Sequence, residues 1–293
     1  MRRFAFILSL SLFAAACSSS ATSTTPTPPP PAFTRAYVVQ RGSTVDAFDL
    51  NGNAVTLTGT FAGLTNPYGI AFDPQNGFLY VVEQGANDIK VFDRNGIPQV
   101  TTGTFAGTSG PAGIAYVPTN GFLYVASRDN NSVIAYDANG NTQTLTGTFP
   151  GATQAEDVAF DSTNGDLYVA LDTGAVKVYD INGNAVAVTG TFAGVGCAEG
   201  ITFDPTNNFL YVGDGCLDTV KVFDQQGNAQ VVTGTWPTSG SVRLLRFCST
   251  NSLIYDPGQF NGALKVYDQN GNIQTLSGTF AAANSPSGVT FTP

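Results

Sequence analysis

The chain has 293 residues, with 12 lysines and arginines against 21 aspartates and glutamates, a net charge of −9 and no histidine. A chain this acidic repels nucleic acid and anionic lipid headgroups, so we expect neither as a partner. Without histidine it cannot build a Ser-His or Cys-His nucleophile or offer an imidazole ligand, so any catalysis would rest on carboxylates around an oxygen-ligated metal.

The first residues have the pattern of a secretory signal peptide: two arginines, an apolar run and an end of small residues. Ala14-Ala15-Ala16-Cys17 resembles a bacterial lipobox, in which the cysteine becomes the lipidated first residue, although Ala14 stands where that motif usually has leucine. We therefore predict a lipoprotein signal peptide over residues 1–16 and a lipid on Cys17. The alternative is an ordinary signal peptide cleaved nearby.

Residues 17–33 are rich in serine, threonine and proline. Such a stretch cannot bury a core and behaves as a solvated tether. The predicted localisation is export with lipid anchoring to the bacterial cell envelope, either at the outer membrane and periplasm or at the cell surface. Membrane contact would then be through the lipid on Cys17.

From residue 34 to residue 293 the sequence repeats. The stretch FDLNGN at 48–53 returns five times, with its aspartate every 43 or 44 residues, and a period of this length indicates a solenoid or a propeller. One repeat contains four short runs of strand-forming residues, GIAFD, FLYVV, IKVFD and QVTTGTF, which we call strands a, b, c and d. Four antiparallel strands per repeat are typical of one blade of a β-propeller.

The length after the tether accommodates six such repeats. The chain enters this region with a b-like strand, AYVV at 36–39, and leaves it with an a-like strand, GVTFTP at 288–293. The last strand can then pair with the first blade and remove two open sheet edges. We predict an all-β, six-bladed β-propeller over 34–293, with four strands per blade and closure by the C-terminal strand.

The recurring Asp-x-Asn-Gly-Asn segment joins strands c and d. Asn-Gly predicts a type I′ hairpin turn, which requires two residues of positive φ, and the a–b hairpins carry the same dipeptide. The alternative interpretation is a calcium loop, since aspartate and asparagine alternate there. The turn is favoured, because a two-residue hairpin splays these side chains and the loop lacks a closing acidic ligand.

The unit PYGIAFDPQNGFLYVVEQGANDIKVFDRNG resembles the NHL repeat, which reads roughly P-x-G-I-A-V-D, G-x-L-Y-V-A-D and N-R-I-Q-V-F-D. The resemblance covers nearly everything after residue 34, and it departs from the pattern at Asp88, where the repeat has arginine. It implies the propeller fold. It does not fix an activity, because such propellers host lyases, lactonases, sensors and scaffolds.

A binding site is expected where the repeats differ from one another. The a–b and c–d turns are nearly uniform and share one face of the predicted disc, while the d–a and b–c loops share the other face and vary, as binding loops do. We call the latter the loop face. Its candidate ligand-binding residues are Tyr68, Glu83, Arg128, Asp129, Glu156, Asp172, Glu199, Asp214 and Arg243.

The position just before strand a contains the candidate metal ligands. In the regucalcin/gluconolactonase propellers, which this chain resembles at Glu199-Gly200-Ile201, this position supplies ligands to a catalytic divalent ion. The resemblance implies a metal site, calcium or another divalent ion, at Glu156 and Glu199. A third acidic or amide ligand is missing, and Arg243 could neutralise Glu199 in an ion pair instead.

Three cysteines follow the tether. Cys197 lies in a d–a loop and Cys216 in the b–c loop of the same repeat, so we predict a disulfide between them in an oxidising compartment. Cys248 ends a strand and is predicted to be a buried free thiol.

These features favour a non-enzymatic binding or scaffold module without a cofactor, whose protein or small-molecule ligand the sequence does not identify. The alternative is a metal-dependent hydrolase or lactonase acting through Glu156 and Glu199.

Overall fold

The computed structural model describes residues 32–42, 44–237, 240, 242–258, 264–280 and 285–293. The predicted signal peptide, residues 17–31 of the tether and the lipidation site Cys17 lie outside these residues. The described residues include no helix that could span a lipid bilayer. Residues 32–293 form one compact unit.

The described residues form eighteen strands in six antiparallel sheets of three strands each. One sheet joins the two ends of the unit, in the order β18 (Pro286–Thr292), β1 (Arg35–Gln40) and β2 (Thr44–Asp49). The others each use three consecutive strands: β3 (Pro67–Asp73), β4 (Phe78–Glu83) and β5 (Asp88–Phe92); β6 (Pro111–Val117), β7 (Phe122–Ser127) and β8 (Ser132–Tyr136); β9 (Ala155–Phe160), β10 (Leu167–Leu171) and β11 (Ala175–Tyr179); β12 (Ala198–Asp204), β13 (Phe209–Asp214) and β14 (Thr219–Asp224); β15 (Arg246–Cys248), β16 (Leu253–Pro257) and β17 (Leu264–Tyr267).

The predicted strand d does not form as a full strand. In each repeat this segment makes one isolated bridge to strand c, such as Phe48 with Ala54. Its Thr-Gly-Thr-Phe end then turns to the next repeat, where Gly59 N donates to Asn95 O at 2.8 Å and Phe61 N donates to Gly96 O at 3.0 Å. Val55 N still donates to Ala47 O of strand c, whereas the end of the segment is bonded to the neighbouring repeat.

The same contact joins the last repeat to the first. Gly278 N donates to Asn51 O at 2.8 Å and Phe280 N donates to Gly52 O at 3.0 Å. The strand-b tyrosines make a second repeating link, since the hydroxyl of each donates to a carbonyl of the next repeat's c–d turn, as Tyr80 does to Ala138 O at 2.9 Å. The six tyrosines are Tyr37, Tyr80, Tyr124, Tyr168, Tyr211 and Tyr255.

The c–d turns differ from the prediction of a type I′ turn. In the first of them Gly52 has a φ of +86°, its N–H donates to Asp49 O, and Asn51 does not share the positive φ. This is a type I turn followed by a left-handed glycine, the common three-residue hairpin loop. The aspartate explains the choice: its carboxylate accepts the N–H groups of Asn51 and Asn53, each at 2.9 Å, which holds the turn. The a–b turns likewise place only one residue, such as Gly77, at positive φ.

The core lies between neighbouring sheets and is built from recurring aromatics. The ring of Phe61 packs between Tyr37 of its own repeat and Phe92 of the next, with centroids 6.1 and 5.0 Å away. Burying each such ring stabilises the fold by about 1.5–3 kcal/mol.

The a strands of the six sheets contact one another in a closed cycle. Strand β3 contacts β6, and the contacts continue through β9, β12, β15 and β18 back to β3. Three of the candidate functional residues, Tyr68, Glu156 and Glu199, lie on these inner strands.

Candidate functional site

Each repeat has one residue at the position just before strand a or at its start, and we call these residues the slot residues. Most of them lie where the pairing register of the sheet is irregular. The pairing register shifts around Glu156 on β9, around Glu199 on β12 and around Ser287 on β18. A bulge of this kind re-aims a side chain away from the regular alternation.

The first charged group of the site consists of Arg128, Glu156 and Asp172, from three different loops or strands. Arg128 Nε lies 2.9 Å from Glu156 Oε1, and its Nη2 lies 2.7 Å from Asp172 Oδ2. Glu156 is buried, and burial raises the pKa of its carboxyl to about 7 against the opposing effect of Arg128. The carboxyl group of Glu156 raises the pKa of Arg128 in turn.

The second charged group consists of Glu199, Arg243 and Tyr68. Arg243 Nη1 lies 2.5 Å from Glu199 Oε2 and donates to Tyr68 Oη at 3.2 Å. Tyr68 is buried, which raises the pKa of its hydroxyl. The guanidinium of Arg41 lies over the Tyr68 ring, 5.0 Å from its centroid, and donates to Gln84 Oε1 at 3.1 Å. The ion pair between Glu199 and Arg243 is thus the arrangement that the structure contains.

The predicted metal site does not fit these residues. Glu156 and Glu199 each face an arginine, so a cation would have to compete with a guanidinium at both carboxylates. Calcium takes six to eight oxygen ligands. Among the described residues no group of three or more histidine, cysteine, aspartate or glutamate side chains could hold a metal ion.

Glu83 and Asp214 have a structural role rather than the predicted contact with a ligand. Both side chains are fully buried. Glu83 accepts the N–H of Thr65 and pairs with Lys90 at 3.2 Å. Asp214 accepts the N–H groups of Gly196, Cys197 and Leu217 at 2.7, 3.1 and 3.1 Å. In these two repeats the carboxylate at the end of strand b thus holds the d–a loop of the same repeat.

Asp129 is the most exposed member of the predicted set. Its backbone N–H donates to Ser109 O at 3.1 Å, and its side chain lies at the surface beside Gly110. Its carboxylate stands outside both charged groups.

The structure joins Cys197 and Cys216 in a disulfide, with Cα atoms 5.2 Å apart, and Cys248 is a buried free thiol. Gly215, next to Cys216, lies against the carboxylate of Glu199, so the bridge braces the loop that flanks this residue. Burial raises the pKa of the Cys248 thiol.

Sequence reasoning missed a buried ion pair between Asp157 and Arg246. The two guanidinium nitrogens lie 2.6 and 2.9 Å from the two carboxylate oxygens. A signal was present: the residue after the slot is glycine in four repeats, and Asp157 replaces it in one. The glycines are Gly69, Gly113, Gly200 and Gly288.

The glycines at this position allow the inner strands to approach closely. A Cβ on Gly200 would lie 2.0 Å from Arg243 O, and one on Gly69 would lie 2.3 Å from Ala112 O. Beside them, buried Tyr68, Ala112 and Leu244 from three repeats contact one another. The centre of the unit is therefore packed at this level.

Comparison with known proteins gives the fold and a partial family match. The model of the family "Lactonase, 7-bladed beta-propeller" matches residues 92–201, which is less than half of the chain. None of the curated proteins matches. A solved chain from "Crystal structure of Nidogen/Laminin Complex" is similar with a TM-score of 0.70 and 16% identity, over 88% of this chain and 97% of that chain. At that identity the likeness shows the fold alone: the chain is an all-β protein with a β-propeller fold.

Proposed function

We propose that the six sheets are the blades of a closed six-bladed propeller. The support is the closed cycle of contacts among the a strands and the recurring bond between the Gly-Thr-Phe or Gly-Thr-Trp end of each repeat and the next c–d turn, including that from Phe280 to Gly52. The seven-bladed family model covers too short a segment to set the blade number. A crystal structure of residues 32–293 tests this proposal: a seventh sheet, or β18 unpaired from β1, would contradict it.

We further propose that the protein is an exported, lipid-anchored binding module that uses the loop face. The observation that carries the binding role is the pairing of both slot carboxylates with arginines, Glu156 with Arg128 and Glu199 with Arg243. Carboxylates paired in this way are poor metal ligands. A charged surface fixed by internal ion pairs and by buried loop contacts is preorganised for recognition, because little side-chain entropy remains to be lost on binding.

The second candidate function is a lactonase-like hydrolase. Two observations favour it: the partial match to the lactonase family model, and a buried Glu156 whose pKa of about 7 would suit a general base. Glu156 has no neighbouring nucleophile of the Ser-His type, because the chain has no histidine.

Calorimetry and hydrolysis assays separate the two functions. The unit 32–293 is titrated with calcium, zinc and manganese, and a panel of lactones is assayed with and without each ion. We expect neither micromolar binding nor turnover. Micromolar binding together with turnover, both lost in Glu199→Gln, would establish the hydrolase and overturn the binding proposal.

A capture experiment tests the loop face. Immobilised 32–293 is incubated with envelope extract, beside an Arg128→Gln/Asp172→Asn variant of the loop face and an Asp93→Asn/Arg94→Gln control on the opposite, turn face. Each variant removes one positive and one negative charge. We expect a component retained by the wild type and the control but lost from the loop-face variant; equal retention by all three would contradict the proposed surface.

A further inference from the structure

The arginines of the loop face are not equivalent. Arg128 and Arg243 each pair with carboxylates at 2.5–2.9 Å, whereas Arg41 has no carboxylate within ion-pair distance among the described residues. The residues of the unit that lie outside the description include no aspartate or glutamate. Arg41 is thus an arginine of the loop face that forms no direct ion pair with an acid among the described residues.

The Arg41 guanidinium is nevertheless held in place. It lies over the ring of Tyr68, which is itself fixed by burial and by the bond from Arg243, and it donates one N–H to Gln84. Arginine has five N–H donors in a planar fork. Among the described residues the contact to Gln84 engages one of them, and Arg41 is partly exposed, so donors remain for a ligand.

We propose that Arg41 is the anion-recognition residue of the loop face and binds a carboxylate group of the ligand. The proposal rests on the proposed binding function and adds the chemical class of ligand to it. A guanidinium that is stacked on an aromatic ring and oriented by a hydrogen bond presents its remaining donors with little loss of freedom, and a carboxylate matches the spacing of that fork.

The surroundings of Arg41 favour a ligand group with one negative charge over a group with two. Glu156 and Glu199 lie close enough to Tyr68 to act on it electrostatically, and Arg41 lies on the Tyr68 ring. Both carboxylates therefore repel an anion bound there, and for a phosphate dianion this repulsion and the attraction by Arg41 double together. The cost of removing the anion from water grows with the square of its charge, so the dianion gains less from binding. A ligand with a single carboxylate is consequently preferred to one with a phosphate group.

The test uses acetate and inorganic phosphate as probes. The arginine Nε–Hε resonances of ¹⁵N-labelled 32–293 are followed at pH 8 and constant ionic strength, and the Arg41 signal is identified by its loss in Arg41→Gln. We expect acetate to shift this signal saturably at millimolar concentration and phosphate to need a higher concentration. An unsaturable shift, equal shifts of all arginine signals, or tighter binding of phosphate would overturn the proposal.

Two variants control for charge and folding. Arg35→Gln removes the same charge at the other end of β1, and acetate should still shift the Arg41 signal in it. Arg41→Lys keeps the charge but loses the planar fork, so binding, measured from the Gln84 side-chain amide resonance, should weaken at least about tenfold. Loss of binding in Arg35→Gln, or undiminished binding in Arg41→Lys, would overturn the assignment.

The failure of this inference is distinguishable from failure of the proposed function. If envelope capture persists undiminished in Arg41→Gln, the binding module stands and Arg41 is not its recognition residue. If acetate binds at Arg41 but no envelope component is captured, the anion site stands and the proposed module function fails.

Discussion

Arg246 on β15 forms a bidentate ion pair with Asp157 on β9, in which Nη1 lies 2.6 Å from Oδ2 and Nη2 lies 2.9 Å from Oδ1. The pair joins two sheets that are not neighbours in the cycle of inner strands. The same guanidinium donates to Ile201 O at 3.3 Å and to Ile114 O at 3.4 Å. Four repeats therefore meet at one side chain, in the packed centre of the unit.

Breaking this pair from one side should destabilise the fold strongly. Asp157→Asn leaves the guanidinium without its counter-charge, and we expect a loss of about 3–5 kcal/mol in the free energy of unfolding, because a buried charge loses its partner. Urea unfolding followed by tryptophan fluorescence measures it. Asp129→Asn, at an exposed position, should change stability by less than about 0.5 kcal/mol. If the two substitutions lower the free energy of unfolding equally, the ion pair between Asp157 and Arg246 does not stabilise the fold.

Two glycines with nearly the same positive φ allow the strain of a turn to be measured separately from the packing between repeats. Gly77 and Gly96 have φ values of +78° and +79°, but a Cβ on Gly77 would meet no atom within 4 Å, whereas one on Gly96 would lie 2.8 Å from the ring of Phe61. Gly77→Ala should cost about 1–2 kcal/mol from strain alone. Gly96→Ala should cost about 1–3 kcal/mol more, because the ring must move. Similar losses in thermal and urea unfolding would contradict the proposed role of this contact.

The buried carboxyl of Glu156 should make stability fall as pH rises. Its pKa in the folded protein is about 7, above the ordinary value of 4.5, so the native state holds the proton more tightly than the unfolded chain does. The stabilisation that results from this raised pKa is fully present below pH 4.5 and is lost as pH rises to about 7. The free energy of unfolding should fall by about 3 kcal/mol over this range relative to that of Glu156→Gln.

Asp256 shares this pH window, because burial raises its pKa to about 7 as well. The comparison of Glu156 with Glu156→Gln is therefore made in an Asp256→Asn background, by urea unfolding at half-unit steps from pH 4 to pH 8. Parallel stability curves for the two proteins would show that Glu156 titrates normally.

The disulfide should stabilise the unit by about 2–4 kcal/mol, chiefly by restricting the unfolded chain. We expect Cys197→Ser/Cys216→Ser to lower the urea midpoint, and a reductant to lower that of the wild type but not that of the variant. Unfolded, unreduced 32–293 should titrate with one thiol, that of Cys248. Three reactive thiols would mean that the bridge does not form.

The repeat period, the strand runs and the two out-of-phase ends allowed the sheets and the pairing of β18 with β1 to be anticipated from the sequence. Alternation and turn residues act locally and so define the strands of each repeat, and the complementary strand types at the two ends predict the pairing between them. The turn type was predicted wrongly, because the Asn-Gly pattern did not take account of the hydrogen bonds that the aspartate carboxylate accepts within the turn. Strand d does not form as a full strand, and its end is bonded to the next repeat, a contact that the local pattern does not specify.

The sequence by itself determined a chain of equivalent antiparallel units, since a fixed period of strand-forming residues and turns dictates the same local structure each time. Only the tertiary structure decided which charges meet. Tyr68 and Arg243 are 175 residues apart along the chain, and together with Arg41 they become neighbours only when the inner strands converge. Ion pairing depends on distances of a few ångströms between side chains, and no periodicity along one strand encodes the distance to another.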